Sequence, residues 1–366
     1  MRPTRSSSAV WPTNQMAAAG QMRRHDEEGL SFTRNEIRSA RMSNASASGP
    51  GTRHAAVIAW REKVRTIGGR AMKPVVGVVG LGAMGSGMAQ SLRRAGFELK
   101  VFDLRAEVAQ ALARDGGMAC ASATELAAGC EVLVSVVVNA AQTEDLLFGS
   151  GGVAAALRPG SVFVMCSTVD PNWSVAMEQR LAAMGLLYLD APISGGAAKA
   201  ASGQMTMMTS GTPAAYAKAG PVLDAMAAKV YRLGERAGAG SKVKIINQLL
   251  AGVHIAAAAE AMALGLREGV DPAALYEVIT HSAGSSWMFE NRMAHVLAGD
   301  YTPLSAVDIF VKDLGLVLDL ARASKFPLPL SSTAHQMFMQ ASTAGFAKED
   351  DSAVIKIFPG IELPKP

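Results

Sequence analysis

The chain has 366 residues, 49% apolar and 18% charged, enough to bury a large core and to build more than one domain. Its formal charge of +4 is unevenly placed: residues 1–70 carry 12 Lys and Arg against 5 Asp and Glu, a net of +7, and the remainder carries 23 against 26, a net of −3. The basic balance belongs to a leader rich in Ser, Arg, Ala and Gly without apolar periodicity, so it does not mark a nucleic-acid surface on the folded part.

Three origins compete for residues 1–72: a disordered extension, an organelle transit peptide, or translated sequence upstream of the true start. The acidic cluster Asp26, Glu27 and Glu28 weighs against a transit peptide, which is poor in acids, and no secretory apolar core stands near residue 1. Met72 directly precedes Lys73, Pro74 and the first strand pattern. Residues 1–72 are therefore expected to be a disordered or wrongly assigned leader, with Met72 as the start. Cys120, Cys130 and Cys166 are odd in number and lack metal-ligand spacing, as expected of reduced thiols in a cytoplasmic protein with neither disulfide framework nor metal.

Residues 75–79, Val-Val-Gly-Val-Val, form a β-branched run that enters Gly80-Leu81-Gly82-Ala83-Met84-Gly85 directly. Gly80 permits a tight strand-to-helix turn, Gly82 allows backbone to approach a pyrophosphate, and Gly85 lets helix and strand pack closely. Met88, Leu92 and Ala95 then recur at helical spacing before Gly96, and residues 98–103 read as a second strand ending at Asp103. Strand, glycine turn, helix, strand and terminal carboxylate together make a dinucleotide-binding fingerprint. A carboxylate at Asp103 accepts hydrogen bonds from the ribose hydroxyls of NAD and repels the 2′-phosphate of NADP, so NAD is expected. Arg105 could soften that choice but reads as a solvated surface residue.

From residue 75 to about 190 strands and helices alternate: residues 131–138, 161–166 and 186–190 are short apolar runs of parallel-sheet type. Such a doubly wound sheet binds its ligands beyond the C-terminal strand ends. The residues there are Val137, Val138, Asn139 and Gln142, then Ser167 and Thr168, then residues 190–196. Beyond Gly238 only helical patterns remain, over 241–268, 272–280, 307–323 and 331–344. Within the first, residues 249–266 are apolar enough to imitate a membrane span, but His254, Glu260 and the alanines fit a long buried helix better. The expected architecture is α/β: a Rossmann-type doubly wound sheet over 73–237 and an all-α C-terminal domain over 238–366, joined by a long helix.

Lys244, Asn247 and Gln248 share one face of that helix at i, i+3 and i+4, with Lys242 turned to solvent. A desolvated lysine can accept a hydroxyl proton, which hydride removal from an alcohol requires. Spacing alone favours a surface lysine at 244. Trp287 and Phe289 read as core aromatics, and His254 and His281 as packing or hydrogen-bonding residues.

Four stretches, Gly80 to Ala89, Asp190-Ala-Pro-Ile-Ser-Gly-Gly196, Gly238 to Asn247 and Lys312-Asp313-Leu314, resemble in order and spacing the motifs of the β-hydroxyacid dehydrogenases, over about 74–360. The resemblance implies that Lys244 is the catalytic acid/base and that Ser194, Gly195, Gly196 and Asn247 hold the substrate carboxylate and hydroxyl. It also implies that Thr168 and Lys312 contact the nicotinamide cofactor and that the protein is a homo-dimer or homo-tetramer; Asp313 reads as structural support. Two departures fall on the substrate side: Ala197-Ala-Lys199 where many relatives have a further Gly, and Gln248 where a second Asn is common. With the loops 138–143 and 202–211 these look most like members acting on four-carbon sugar acids such as L-threonate, whose hydroxyls Lys199 and Gln248 would satisfy. The expected reaction is NAD-dependent oxidation of L-threonate at C2, without metal, nucleic acid or membrane. Alternatives are tartronate semialdehyde reductase, 3-hydroxyisobutyrate dehydrogenase, or a non-catalytic dinucleotide-binding module.

Overall fold

Short aliphatic runs become the strands of one sheet in the computed structural model, which describes residues 73–366. The leader expected over 1–72 lies outside the described residues. Strands β1 (Val76–Val79), β2 (Leu99–Phe102), β3 (Met118–Ala119), β4 (Val132–Ser135), β5 (Val162–Met165) and β6 (Leu187–Asp190) run parallel in the order β3-β2-β1-β4-β5-β6. β1, β4 and β5 are buried along their whole length, which is why their sequences are continuous runs and do not alternate.

Helices α1 (Ala83–Arg94), α2 (Ala106–Arg114), α3 (Ala123–Ala128), α4 (Ala140–Phe148) and α5 (Pro171–Ala182) alternate with these strands. Two apolar cores result, one around Val78, Met88, Leu92 and Val134, the other around Leu126, Leu133, Phe163 and Leu181. All three cysteines are buried and unpaired.

The pattern over 131–138 yields a shorter strand than expected. After the Val136 amide donates to the Val79 carbonyl at 2.8 Å, the chain leaves the sheet, and Asn139 caps α4 by accepting from the Gln142 amide. The sheet also extends beyond residue 190. β7 (Ile193–Ser194), α6 (Gly196–Ser202), β8 (Met205–Gly211), α7 (Pro213–Met226) and β9 (Ala227–Arg232) follow, with β8 antiparallel to β6 and β7 and parallel to β9. Met and Thr, not branched aliphatics, fill β8, so its run carries little strand signal in sequence.

The helical part starts with α8 (Ala239–Arg267), 29 residues long and so about 40 Å at the usual rise. It matches a membrane span in length and hydropathy, yet half of its most apolar stretch is buried inside the protein. It packs against α10 (Trp287–Ala298), α11 (Val307–Ser324), α12 (Pro329–Ala341) and a 3₁₀ turn at Asp351–Ile357, while α9 (Pro272–Thr280) flanks its far end. Their shared core includes Ile255, Met262, Phe289, Met293, Phe310 and Phe338. Helix α10 lay outside the expected patterns, although Ser286 caps it by accepting from the Phe289 amide. The last expected helix ends three residues early, at Ala341, before a π turn in which Gly345 adopts φ +101°.

One buried carboxylate joins the two parts. Asp190, at the end of β6, accepts from the Gly238 amide (2.9 Å), the Ser241 amide (2.9 Å), the Ser241 hydroxyl (2.7 Å) and the Ser210 hydroxyl (3.1 Å). Those amides are the unpaired donors that open α8, so the carboxylate acts as a helix cap supplied from another layer. Gly240 permits the approach, since a Cβ there would lie 2.4 Å from the Met208 carbonyl oxygen. Asp190→Ala should destabilise the fold by about 3 kcal/mol, because four buried donors lose their acceptor. Urea unfolding checks this, and a loss below about 1 kcal/mol would show that the anchor is dispensable.

Candidate active site

The glycine turn meets the requirements of a pyrophosphate cradle. A Cβ on Gly85 would stand 1.8 Å from the Gly80 carbonyl oxygen, so only glycine lets α1 start this close to β1. A Cβ on Gly82 would meet only open space, and no side chain caps α1. Backbone donors at a helix start with room in front of them are what an anionic diphosphate needs.

Asp103 stands beside this turn, its Oδ2 accepting from the Leu81 amide at 2.7 Å. Arg105 is exposed, as expected of a solvated residue, and it also pairs with Asp103: the guanidinium Nε is 3.1 Å from Asp103 Oδ1, and the Arg105 amide donates to the same oxygen. Burial raises the Asp103 carboxyl, but hydrogen bonds from the Arg105 side chain, the Arg105 amide and the Leu81 amide hold it below the ordinary carboxylate value. Asp103 therefore stays anionic at the strand end.

Lys244 lies one turn beyond the Asp190 anchor and is 7% exposed. It is a buried lysine and not the surface residue that spacing alone favours. Burial pushes its ammonium down to about 8, with the Asp313 carboxylate acting upward and the Lys312 ammonium downward. Its Nζ donates to Gln248 Oε1 at 2.7 Å, and Asn247 Nδ2 donates to the same oxygen at 3.0 Å. Gln248 Nε2 donates to Asp313 Oδ2 at 2.6 Å. Lys312 donates to Asp313 Oδ1 and, at 3.2 Å, to the Thr168 carbonyl beyond β5. The structure thus brings Lys244, Asn247, Gln248, Asp313, Lys312 and Thr168 into one hydrogen-bonded chain. The expected solvent-facing Lys242 is exposed.

At the neighbouring strand end the Val138 amide donates to Gln142 Oε1 at 2.9 Å, and the Ser167 hydroxyl donates to the Val137 carbonyl. Ser194 is half-buried in β7, and Gly195 and Gly196 follow with φ of +134° and +75°, a conformation glycine adopts readily. Lys199 is exposed on α6, its ammonium 6.0 Å from the Trp287 ring centre. Trp287, expected in the core, is half exposed, whereas Phe289 is buried as expected. His281 hydrogen-bonds the Glu277 carbonyl, and His254 lies on the exposed side of α8. Sequence reasoning missed the tie between Asp190, Ser210 and Ser241, and the depth of Asp313, which is 1% exposed. The available signals were an acid ending a strand and an acid directly after Lys312.

Comparison with known proteins bears on this arrangement. Residues 75–234 match the NAD binding domain of 6-phosphogluconate dehydrogenase, and residues 238–358 match the NAD-binding domain of NADP-dependent 3-hydroxyisobutyrate dehydrogenase. The chain is 70% identical over 289 residues to L-threonate dehydrogenase of Cupriavidus necator, covering 79% of this chain and 97% of the relative. It is 55% identical to L-threonate dehydrogenase of Escherichia coli over 290 residues, 79% of this chain and 96% of that one. The crystal structure of a 3-hydroxyisobutyrate dehydrogenase from Salmonella typhimurium superposes with a TM-score of 0.75 at 57% identity, over 77% of this chain and 99% of that one. With a glycine turn between strand and helix, a buried lysine near the head of a long helix and relatives of this similarity, the chain belongs to the β-hydroxyacid dehydrogenases related to 3-hydroxyisobutyrate dehydrogenase and is an NAD-dependent hydroxyacid oxidoreductase.

Proposed function

We propose that this enzyme oxidises L-threonate at C2 to the 2-oxo acid 2-dehydro-L-erythronate, using NAD, in the catabolism of four-carbon sugar acids. The observation that carries the chemistry is Lys244, a buried lysine whose proton affinity is lowered to about 8. The substrate reading draws on the 70% identity to the Cupriavidus necator enzyme.

In this reading Ser194 and the Gly195 and Gly196 amides receive the substrate carboxylate, and the Asn247 amide orients the C2 hydroxyl. Lys199, projecting beside Trp287, reaches the distal hydroxyls. Neutral Lys244 accepts the C2 hydroxyl proton as the C2 hydrogen leaves with its electron pair, so C2 becomes a carbonyl and Lys244 an ammonium. NAD, when bound, supplies the hydride acceptor. Residues Gly80, Leu81, Gly82, Ala83, Met84 and Gly85 cradle its pyrophosphate. Asp103 accepts from its ribose, Val137, Val138 and Gln142 line the cofactor beyond the end of β4, and Thr168 and Lys312 contact the nicotinamide part. We assign the enzyme to the cytoplasm. We also assign it a homo-dimeric or homo-tetrameric state, for which Val243, Ile246 and Leu250 offer an exposed apolar stripe on α8.

The name carried by the Salmonella structure favours a second substrate, 3-hydroxyisobutyrate. A panel of three- to six-carbon hydroxy acids with NAD, followed at 340 nm, separates the two. L-threonate should give the highest kcat/KM; a lead by 3-hydroxyisobutyrate would select the second reading, and silence across the panel would favour a binding module.

Lys244→Met should lose turnover while keeping NAD affinity and gaining stability of about 1–3 kcal/mol at neutral pH. The sign follows from burial: the folded-state value of about 8 lies below the ordinary 10.5 of an unfolded chain. Below about 8 both states hold the proton and the cost of the buried ammonium is complete; it fades as pH rises toward 10.5. Kinetics, cofactor titration and thermal unfolding of the one variant test all three expectations, and near-native kcat would remove Lys244 from the chemistry.

Asp103→Ala should raise the KM for NAD tenfold or so and narrow the preference against NADP, since Arg105 is then free to meet a 2′-phosphate. Unchanged kinetics with both cofactors would remove Asp103 from the site.

A further inference from the structure

We propose that Asp313 is a positioning residue for Lys244, acting through Gln248, and that Gln248 serves the lysine and not the substrate. The proposal rests on the reading of Lys244 as the base. It departs from the expectation that the Gln248 amide satisfies a substrate hydroxyl.

An amide has one acceptor oxygen and one donor nitrogen, whereas a carboxylate only accepts. Gln248 Nε2 lies 2.6 Å from Asp313 Oδ2, so this end must donate. The other end, Oε1, then necessarily faces Lys244 Nζ at 2.7 Å and Asn247 Nδ2 at 3.0 Å, both donors. Rotating the amide by half a turn would set oxygen against oxygen at Asp313 and nitrogen against two donors at the other end. Three hydrogen bonds would be lost together, in a place where Gln248 is 7% and Asp313 1% exposed and water cannot replace them.

The fixed amide has two consequences. One Nζ hydrogen of Lys244 is committed to Gln248, so the lone pair of the neutral amine points away from Gln248. Gln248 Oε1 already accepts from two donors and one Nε2 hydrogen goes to Asp313, so only a single Nε2 hydrogen is left outside this network. Asp313 is held in turn by Lys312, which also reaches the Thr168 carbonyl. The geometry of the lysine on α8 thus depends on α11 and on the loop after β5.

The test is steady-state kinetics with NAD and L-threonate for Gln248→Met, Asp313→Ala, Asp313→Asn and the double variant Gln248→Met/Asp313→Ala. Each variant is checked for native thermal unfolding and for NAD affinity. Gln248→Met and Asp313→Ala should each lower kcat about tenfold while the KM for L-threonate stays within about twofold. The double variant should be no worse than the worse single one, because both act on one element. Asp313→Asn can offer Gln248 Nε2 its one acceptor oxygen, with the loss of the Lys312 bond, and should recover part of kcat. A KM increase with kcat preserved in Gln248→Met would show substrate contact and overturn the proposal. So would losses that multiply in the double variant, or Asp313→Asn no better than Asp313→Ala. If the unaltered enzyme leaves L-threonate untouched, the substrate reading fails instead, and the same comparisons proceed with the hydroxy acid it does oxidise.

Discussion

Four donors from two layers of the fold converge on the buried carboxylate of Asp190: three from the residues that open α8 and one from β8. This constraint fixes where the long helix begins relative to the sheet, and with it the position of Lys244 one turn further on. The stretch that supplies Asp190 continues to Ser194, Gly195 and Gly196, so the residues proposed to hold the substrate and the residue proposed to take its proton hang from one anchor. A helix start normally needs a cap from its own chain neighbours. Here Gly238 and Gly240 leave that role to Asp190, and Gly240 has no room for a side chain beside the Met208 carbonyl.

Burying an ammonium costs stability, and the fold bears that cost at Lys244 for a chemical reason. An exposed lysine near 10.5 would be protonated at neutral pH and could not accept a proton, whereas burial lowers it to about 8. The Asp313 carboxylate limits the descent and keeps the residue able to hold the proton it receives. Asp103 shows the opposite balance: burial works against its charge, but the bonds from Arg105 and Leu81 preserve it. Two ionisable groups, one near the start of α8 and one at the end of β2, are thus pushed toward the forms their proposed roles need, a neutral amine and an anion.

Much of this was legible in the residues because the relevant signals are local. The β1 run, the glycine turn and the acid ending β2 lie within a few dozen residues, and each has a steric or electrostatic reason that sequence carries by itself. The helices over 239–267 and 272–280 were readable within two residues at each end, from apolar spacing and from Pro272. What sequence hid is long-range. Strand β8 has a Met and Thr composition that becomes strand-like only when paired with its neighbours. The exposure of Arg105 was legible but its pairing with Asp103 was not, because that depends on how β2 ends, and Trp287 looked like core because size does not say which side of α10 it occupies. Lys244 was the sharpest case: its spacing with Asn247 and Gln248 was visible, but its burial, which decides between a surface charge and a base, depends on α11 arriving with Asp313, 65 residues beyond Gln248.

The central claim, that a buried Lys244 accepts the substrate proton, is tested most directly by the pH dependence of kcat/KM for L-threonate oxidation. A base that must be neutral predicts a value that falls about tenfold per pH unit below about 8 and levels off above it. A profile flat from pH 6.5 to 10, or one that is still climbing toward the ordinary lysine value, would contradict it.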